Sequence, residues 1–188
     1  SYEGGYDKYI ENFYKRYTDG EMISADSIHM PDSLKYNTLV NKRVVYGGGG
    51  IVPDVFVSVD TTFNSTYFRR LAAKNVLNSF ALEYFDQNRN QLKSNYKSIQ
   101  DFKARFQLSP EDIKVFIQKG ESEGVKYDEE QFNISKDEIL LILKGLVAAN
   151  MWQISEYYQI INQNDKVIDN ALEVISDKTR YNTILGYK

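Results

Sequence analysis

Four consecutive glycines, Gly47 to Gly50, follow Arg43-Val44-Val45-Tyr46 and precede Ile51-Val52-Pro53-Asp54. Glycine loses more backbone freedom on folding than any other residue. A run of four is therefore costly unless the chain needs a positive φ or a very close approach there. The flanks supply that need. Tyr36 to Val40 and Arg43 to Tyr46 are strand-like, and the two residues between them, Asn41-Lys42, have the length of a hairpin turn. The glycines then let the strand leave the sheet, and Pro53 sets the direction of a further extended run, Val55 to Val59. The residues after the glycines exclude a phosphate-cradling loop. Such a loop needs a Lys and a Ser or Thr opening a helix, and here Ile51, Val52 and Pro53 open an extended segment.

Helical periodicity dominates the rest. Tyr6, Tyr9, Ile10, Phe13, Tyr14 and Tyr17 fall on one stripe, which predicts an amphipathic helix over 5–18 ending at Asp19-Gly20, with the stripe as core. A loop follows from Glu21 to Ser33. From about Ser65, Gly and Pro nearly vanish. A long helix is expected from Thr66 to Gln87, capped by Asn64 or Ser65, then a short one opened by Ser98 with Asp101 and ending near Phe106. Ser109-Pro110 with Asp112 opens another, stopping near Gly120 or Gly124. Ser135-Lys136-Asp137-Glu138 reads as a capping box for the longest helix, whose apolar positions run from Ile139 to Ile161. Asp165 is expected to cap a last helix bearing Ile168, Leu172 and Ile175.

The implied fold class is α+β, predominantly α, with a short β-hairpin and strand segment before a helical bundle. The expected division is 1–62, a helix plus hairpin and strand, and 63–188, a helical C-terminal domain. An isolated hairpin is marginal in water, so the strands of 1–62 call for more sheet than this segment offers.

The stretch from Asp26 to Thr62 carries Asp-Ser-Ile-His-Met-Pro-Asp-Ser, Tyr-Asn-Thr-Leu, Arg-Val-Val-Tyr-Gly-Gly-Gly-Gly-Ile-Val-Pro-Asp and Val-Ser-Val-Asp-Thr-Thr. It resembles the region just after the catalytic core of carboxyl-terminal processing peptidases (tail-specific serine proteases), in their Bacteroides-like form. Gly50 to Asp54 is the most general mark. Val125 to Glu130 and Ala148 to Trp152 resemble that subgroup's helical C-terminal extension. The resemblance implies a hydrolase parent with a Ser nucleophile, a Lys base and a peptide-binding PDZ module, all upstream of Ser1. It also implies a periplasmic or cell-envelope location. The chain would then be a non-catalytic C-terminal portion, completing the protease sheet and adding a helical platform, and inactive alone. Its partners would be the upstream core and PDZ module and the parent's protein or peptide substrate, with room for a homo-oligomer. The alternative is a stand-alone helical protein–protein interaction or dimerisation module.

Composition narrows the chemistry. A net charge of −3 offers no broad basic field for nucleic acid, and no apolar run is long enough to span a bilayer. Cysteine is absent, which removes disulfides, thiolate ligands and a cysteine nucleophile. Ser94-Asn95-Tyr96-Lys97 matches Ser-x-x-Lys, but the companion motifs of penicillin-recognising enzymes are missing. His29 is the only histidine, without a nucleophile elbow to partner it. Asp128, Glu129 and Glu130 have no nearby His and read as the solvated start of a helix. Asp54 and Asp60 lack the spacing of a calcium loop and read as strand ends or turn caps. Trp152, Tyr157 and Tyr158 read as core, with an interface anchor as the alternative. No catalytic, cofactor-binding or metal-binding residue is assigned, and no cofactor is implied.

Overall fold

A computed structural model describes residues 4–47 and 52–187. The chain runs α1 (Gly5–Thr18), β1 (Lys35–Asn37), β2 (Val44–Tyr46), α2 (Thr66–Ala73), α3 (Val76–Asn95), α4 (Ile99–Arg105), α5 (Pro110–Ser122), α6 (Glu129–Met151), α7 (Ile154–Ile161), α8 (Lys166–Ser176) and α9 (Lys178–Leu185). It is α+β and predominantly α. Its contacts form two units, Thr61–Asp165 and Ser1–Asp60 with Lys166–Lys188. Residues 166–188 thus group with the N-terminal segment, whereas helical periodicity alone predicts them within 63–188.

In the helical unit, α6 is the central rod, packed along α2, α3 and α7. Its buried side carries Phe132, Ser135, Ile139, Leu143 and Val147, the three-and-four spacing of one helix face. One apolar cluster joins Tyr67, Leu71, Phe80, Phe116, Ile139 and Leu143. A second joins Phe85, Leu92, Phe102, Phe106, Val147 and Ile160. Phe102 and Phe106 stack with ring centres 4.3 Å apart, and Phe80 meets Phe116 edge-on at 5.3 Å.

Three expected starts hold. The Ser65 hydroxyl accepts from the Phe68 N–H at 3.1 Å. The Ser98 hydroxyl accepts from the Asp101 N–H at 3.2 Å. Ser109 and Asp112 form a full reciprocal box behind Pro110. Three expectations are corrected. The helix expected over 66–87 is two helices, broken at Asn75, whose φ is +57°. The core explains the break. Leu71 and Val76 are both fully buried, yet five residues of one straight helix would turn them about 140° apart. Asn tolerates the left-handed conformation better than most residues, and its side-chain carbonyl accepts from Asn78 at 2.7 Å. Asn75→Val is therefore expected to lose about 1–2 kcal/mol, while Asn75→Gly keeps most of the stability. Thermal melts of the two variants check this; a valine variant melting with the wild type would show that the backbone there makes no special demand.

The second correction concerns Ser135, which does not cap α6. That helix starts six residues earlier, where Asp128 accepts from the Gln131 N–H at 3.0 Å. Asp128-x-x-Gln131 is the true start signal, and the acids at 128–130 do sit at a helix start. The third is the break at Trp152-Gln153, which turns α7 back along α6. Gly145 allows that close approach, since a Cβ there would come within 2.8 Å of the Tyr157 ring.

In the other unit the sheet is a two-stranded antiparallel hairpin, with Lys35 opposite Tyr46, Tyr36 opposite Val45 and Asn37 opposite Val44. The strands are shorter than expected. The Thr38 N–H donates to the Arg43 carbonyl at 2.9 Å, and Lys42 takes a φ of +52°, so the connection is wider than Asn41-Lys42 alone. The run Val55 to Val59 forms no strand; the Val59 N–H instead donates to the Met22 carbonyl at 3.0 Å. At Gly47 a Cβ would lie 2.9 Å from the Tyr36 ring, so a side chain there would make that ring shift. The rest of the expected glycine crossover, Gly48 to Gly50, lies outside the described residues. Helix α9, not expected from the sequence, is capped by Asp177, which accepts from Thr179 and Arg180, both at 3.0 Å. It meets the hairpin connection: Asn41 donates to the Leu185 carbonyl at 2.7 Å and Arg43 to that of Ile184 at 3.2 Å.

Candidate functional site

The residues singled out for chemistry are dispersed. Ser94 lies exposed in the last turn of α3, and the Lys97 ammonium donates to the Lys93 carbonyl at 2.9 Å. A Ser-x-x-Lys nucleophile needs a neutral lysine amine held against the serine, whereas this side chain is exposed and turned to a backbone carbonyl. His29 is exposed beside a shallow depression bordered by Asp19, Glu21, Asp26 and Ser27, and Glu21 pairs with Arg16 at 2.6 Å. Among the described residues, no group of three or more His, Asp or Glu side chains could hold a metal ion. Asp54 pairs with Arg43, and Asp60 with Lys166 at 3.6 Å. Both acids thus brace their own unit. Trp152 stands edge-on to Phe102 at 5.6 Å and is 36% exposed, at the rim of the core. Tyr157 is half-buried, while Tyr158 is exposed.

The N-terminal unit keeps much apolar surface in solvent. The α1 stripe expected as core is at the surface, with Tyr6 75% exposed and Tyr9, Phe13 and Tyr14 also open. Leu39, at 89%, and Val40 project from the hairpin connection, and Tyr36 and Val44 from its strands. On α8 the expected stripe is likewise open at Leu172 and Ile175. Among the described residues each three-residue strand pairs on one side only, which leaves an outer edge of N–H and C=O groups on both. Val52, Pro53 and Asp54 border a depression of about 340 Å³, which Ile28, Met30, Tyr46 and Phe56 also line.

The helical unit carries a groove of about 370 Å³ between the connection after α4 and the α6 face of Asp137, Leu140, Leu141 and Lys144. Phe106, Gln107 and Leu108 form the opposite wall. The Lys144 ammonium donates to the Lys103 carbonyl at 2.7 Å. Burial pushes its pKa below the ordinary lysine value, and the Lys103 charge adds to that push. The sequence gives no sign of this groove, because its polar members are ordinary helix-surface residues until α4 and α6 come together.

A family model described as "Family of unknown function (DUF8443)" matches residues 67–153. That match falls wholly within the helical unit, Thr61–Asp165. No curated protein and no solved structure matches the chain. No helix among the described residues is long and apolar enough to cross a membrane.

Proposed function

We propose that this chain is the non-catalytic C-terminal region of a Ser–Lys carboxyl-terminal processing peptidase of the cell envelope. In this reading residues 35–59 extend the sheet of an upstream protease core, and the helical unit is a platform beside it. The observation that carries the reading is the hairpin: three-residue strands, an outer edge on each that is unpaired among the described residues, and Tyr36, Leu39, Val40 and Val44 in solvent. Strands this short are not stable as a lone pair, and open apolar edges invite pairing. The sequence marks from Asp26 to Thr62 name the kind of sheet that would accept them. In the parent, a neutral Lys would assist Ser attack on the peptide carbonyl, and both groups lie outside this chain.

The test compares two proteins against an unstructured substrate with an apolar C-terminus. The chain alone is expected to leave it intact, and the longer protein encoded by the same gene to cleave it. An upstream sequence without a Ser–Lys core would overturn the reading. The stand-alone interaction module is favoured by one observation, the family match confined to the helical unit. An unrelated domain upstream of Ser1 would decide for it.

A further inference from the structure

We propose that the groove between the 106–108 connection and α6 docks an extended peptide segment of a protein partner, one whose apolar stretch has a carboxylate at one end and a basic group at the other. The proposal does not rest on the peptidase reading, because every residue in it belongs to the helical unit.

The walls are apolar in the middle and charged at the ends. Leu140 and Leu141 on α6 face Phe106 and Leu108 across the groove, with Asp137 at one end of the α6 wall and Lys144 at the other. Seven residues of helix separate the two charges, about 10 Å along the axis. An extended peptide covers that distance in about three residues, so its own charged side chains reach both ends across a short apolar stretch. The groove volume of about 370 Å³ lies at the lower end of the range for ligand pockets, which suits a few side chains rather than a large cofactor.

Charge balance sets the polarity of the occupant. Among the described residues no carboxylate pairs with Lys103 or Lys144, and no cation pairs with Asp137. Lys144 holds its position through one carbonyl, which leaves protons of the ammonium for a further acceptor. A carboxylate there would relieve the repulsion between Lys144 and Lys103. A basic group at the other end would meet the exposed Asp137. Such end charges add specificity more than affinity, while the half-buried Leu108, Leu140 and Leu141 supply the apolar contact.

The experiment uses the whole chain and three blocked, fluorescently labelled peptides followed by polarisation: Lys-Leu-Val-Leu-Glu, Glu-Leu-Val-Leu-Glu and Lys-Leu-Val-Leu-Lys. The mixed-charge peptide is expected to bind saturably and about tenfold more tightly than either like-charged one. In Asp137→Lys, an exposed change that leaves the core intact, the preference should pass to the Glu…Glu peptide. In Lys144→Glu it should pass to the Lys…Lys peptide. Absence of saturable binding by all three peptides overturns the proposal. So does an order of affinities that stays the same in the wild type and Asp137→Lys.

Discussion

Ser135→Leu is expected to be the most damaging single change in the helical unit, costing about 3 kcal/mol through lost hydrogen bonds and overpacking together. Ser135 is fully buried on the apolar face of α6, where leucine would suit the pattern of neighbours Phe132 and Ile139. Its hydroxyl nevertheless meets Ser65 and Phe63. It lies 2.7 Å from the Ser65 hydroxyl, accepts from the Ser65 N–H at 3.3 Å and donates to the Phe63 carbonyl. Ser65 in turn caps α2 by accepting from the Phe68 N–H at 3.1 Å. One buried hydroxyl therefore fixes where α2 starts against α6. Removing it takes the Ser135 bonds from the Ser65 hydroxyl and the Phe63 carbonyl, which keep the Phe68 N–H at 3.1 Å and the Ser65 N–H at 2.9 Å as partners, and the added carbons crowd a fully buried site. Ser135→Ala should cost less, about 1 kcal/mol, because it loses the same hydrogen bonds without overfilling the site. Denaturant melts of both variants check the order. A leucine variant as stable as the wild type would mean the hydroxyl network contributes nothing.

Ser135 also shows what could be read in the sequence and what could not. Local chemistry was legible where the helix signal is short-ranged: Ser98 with Asp101, and Ser109-Pro110 with Asp112, cap the helices they announce. Ser135-Lys136-Asp137-Glu138 carries the same local pattern inside a helix. There, a neighbour 70 residues away decides the role of the serine. The breaks at Asn75 and at Trp152-Gln153 contain no Gly or Pro, since both are set by which faces must be buried together. The α1 and α8 stripes have the period of core helices and yet lie in solvent. Periodicity reports that a helix has an apolar face and is silent on what covers it. The acid–amine groove was illegible for a related reason: Lys103 and Lys144 become neighbours only through the packing of α4 beside α6.

Tyr67→Phe is expected to stabilise the chain by about 1 kcal/mol at neutral pH, a reversal of the usual cost of changing a buried residue. The Tyr67 ring sits in the first apolar cluster, edge-on to Tyr127 and Phe132 at 6.0 and 6.3 Å, so phenylalanine keeps its packing. Its hydroxyl is buried and has no hydrogen-bond partner among the described residues. Taking a hydroxyl out of water without a partner costs about 1–3 kcal/mol, and phenylalanine has none to desolvate. The same burial has a consequence at high pH. Desolvation first, then the charges of Tyr127 and Glu121, raise the Tyr67 pKa from 10 to about 12. Because the folded-state value is the higher one, the contribution is fully present below pH 10. It is lost as the pH rises toward 12, where the unfolded chain ionises and the folded one does not. That loss is about 2–3 kcal/mol for one group. Tyr84 adds a parallel loss, its pKa also raised to about 12 by burial and by Asp112, whose carboxylate lies 3.5 Å from the hydroxyl. Urea melts of the wild type, Tyr67→Phe and Tyr84→Phe across this window should show the first variant more stable at neutral pH and less sensitive to alkali. The second should lose only the Tyr84 share of the alkaline sensitivity and keep that of Tyr67. A Tyr67→Phe protein weaker than the wild type at neutral pH would mean that the hydroxyl has a partner and that its burial is not the source of the raised pKa.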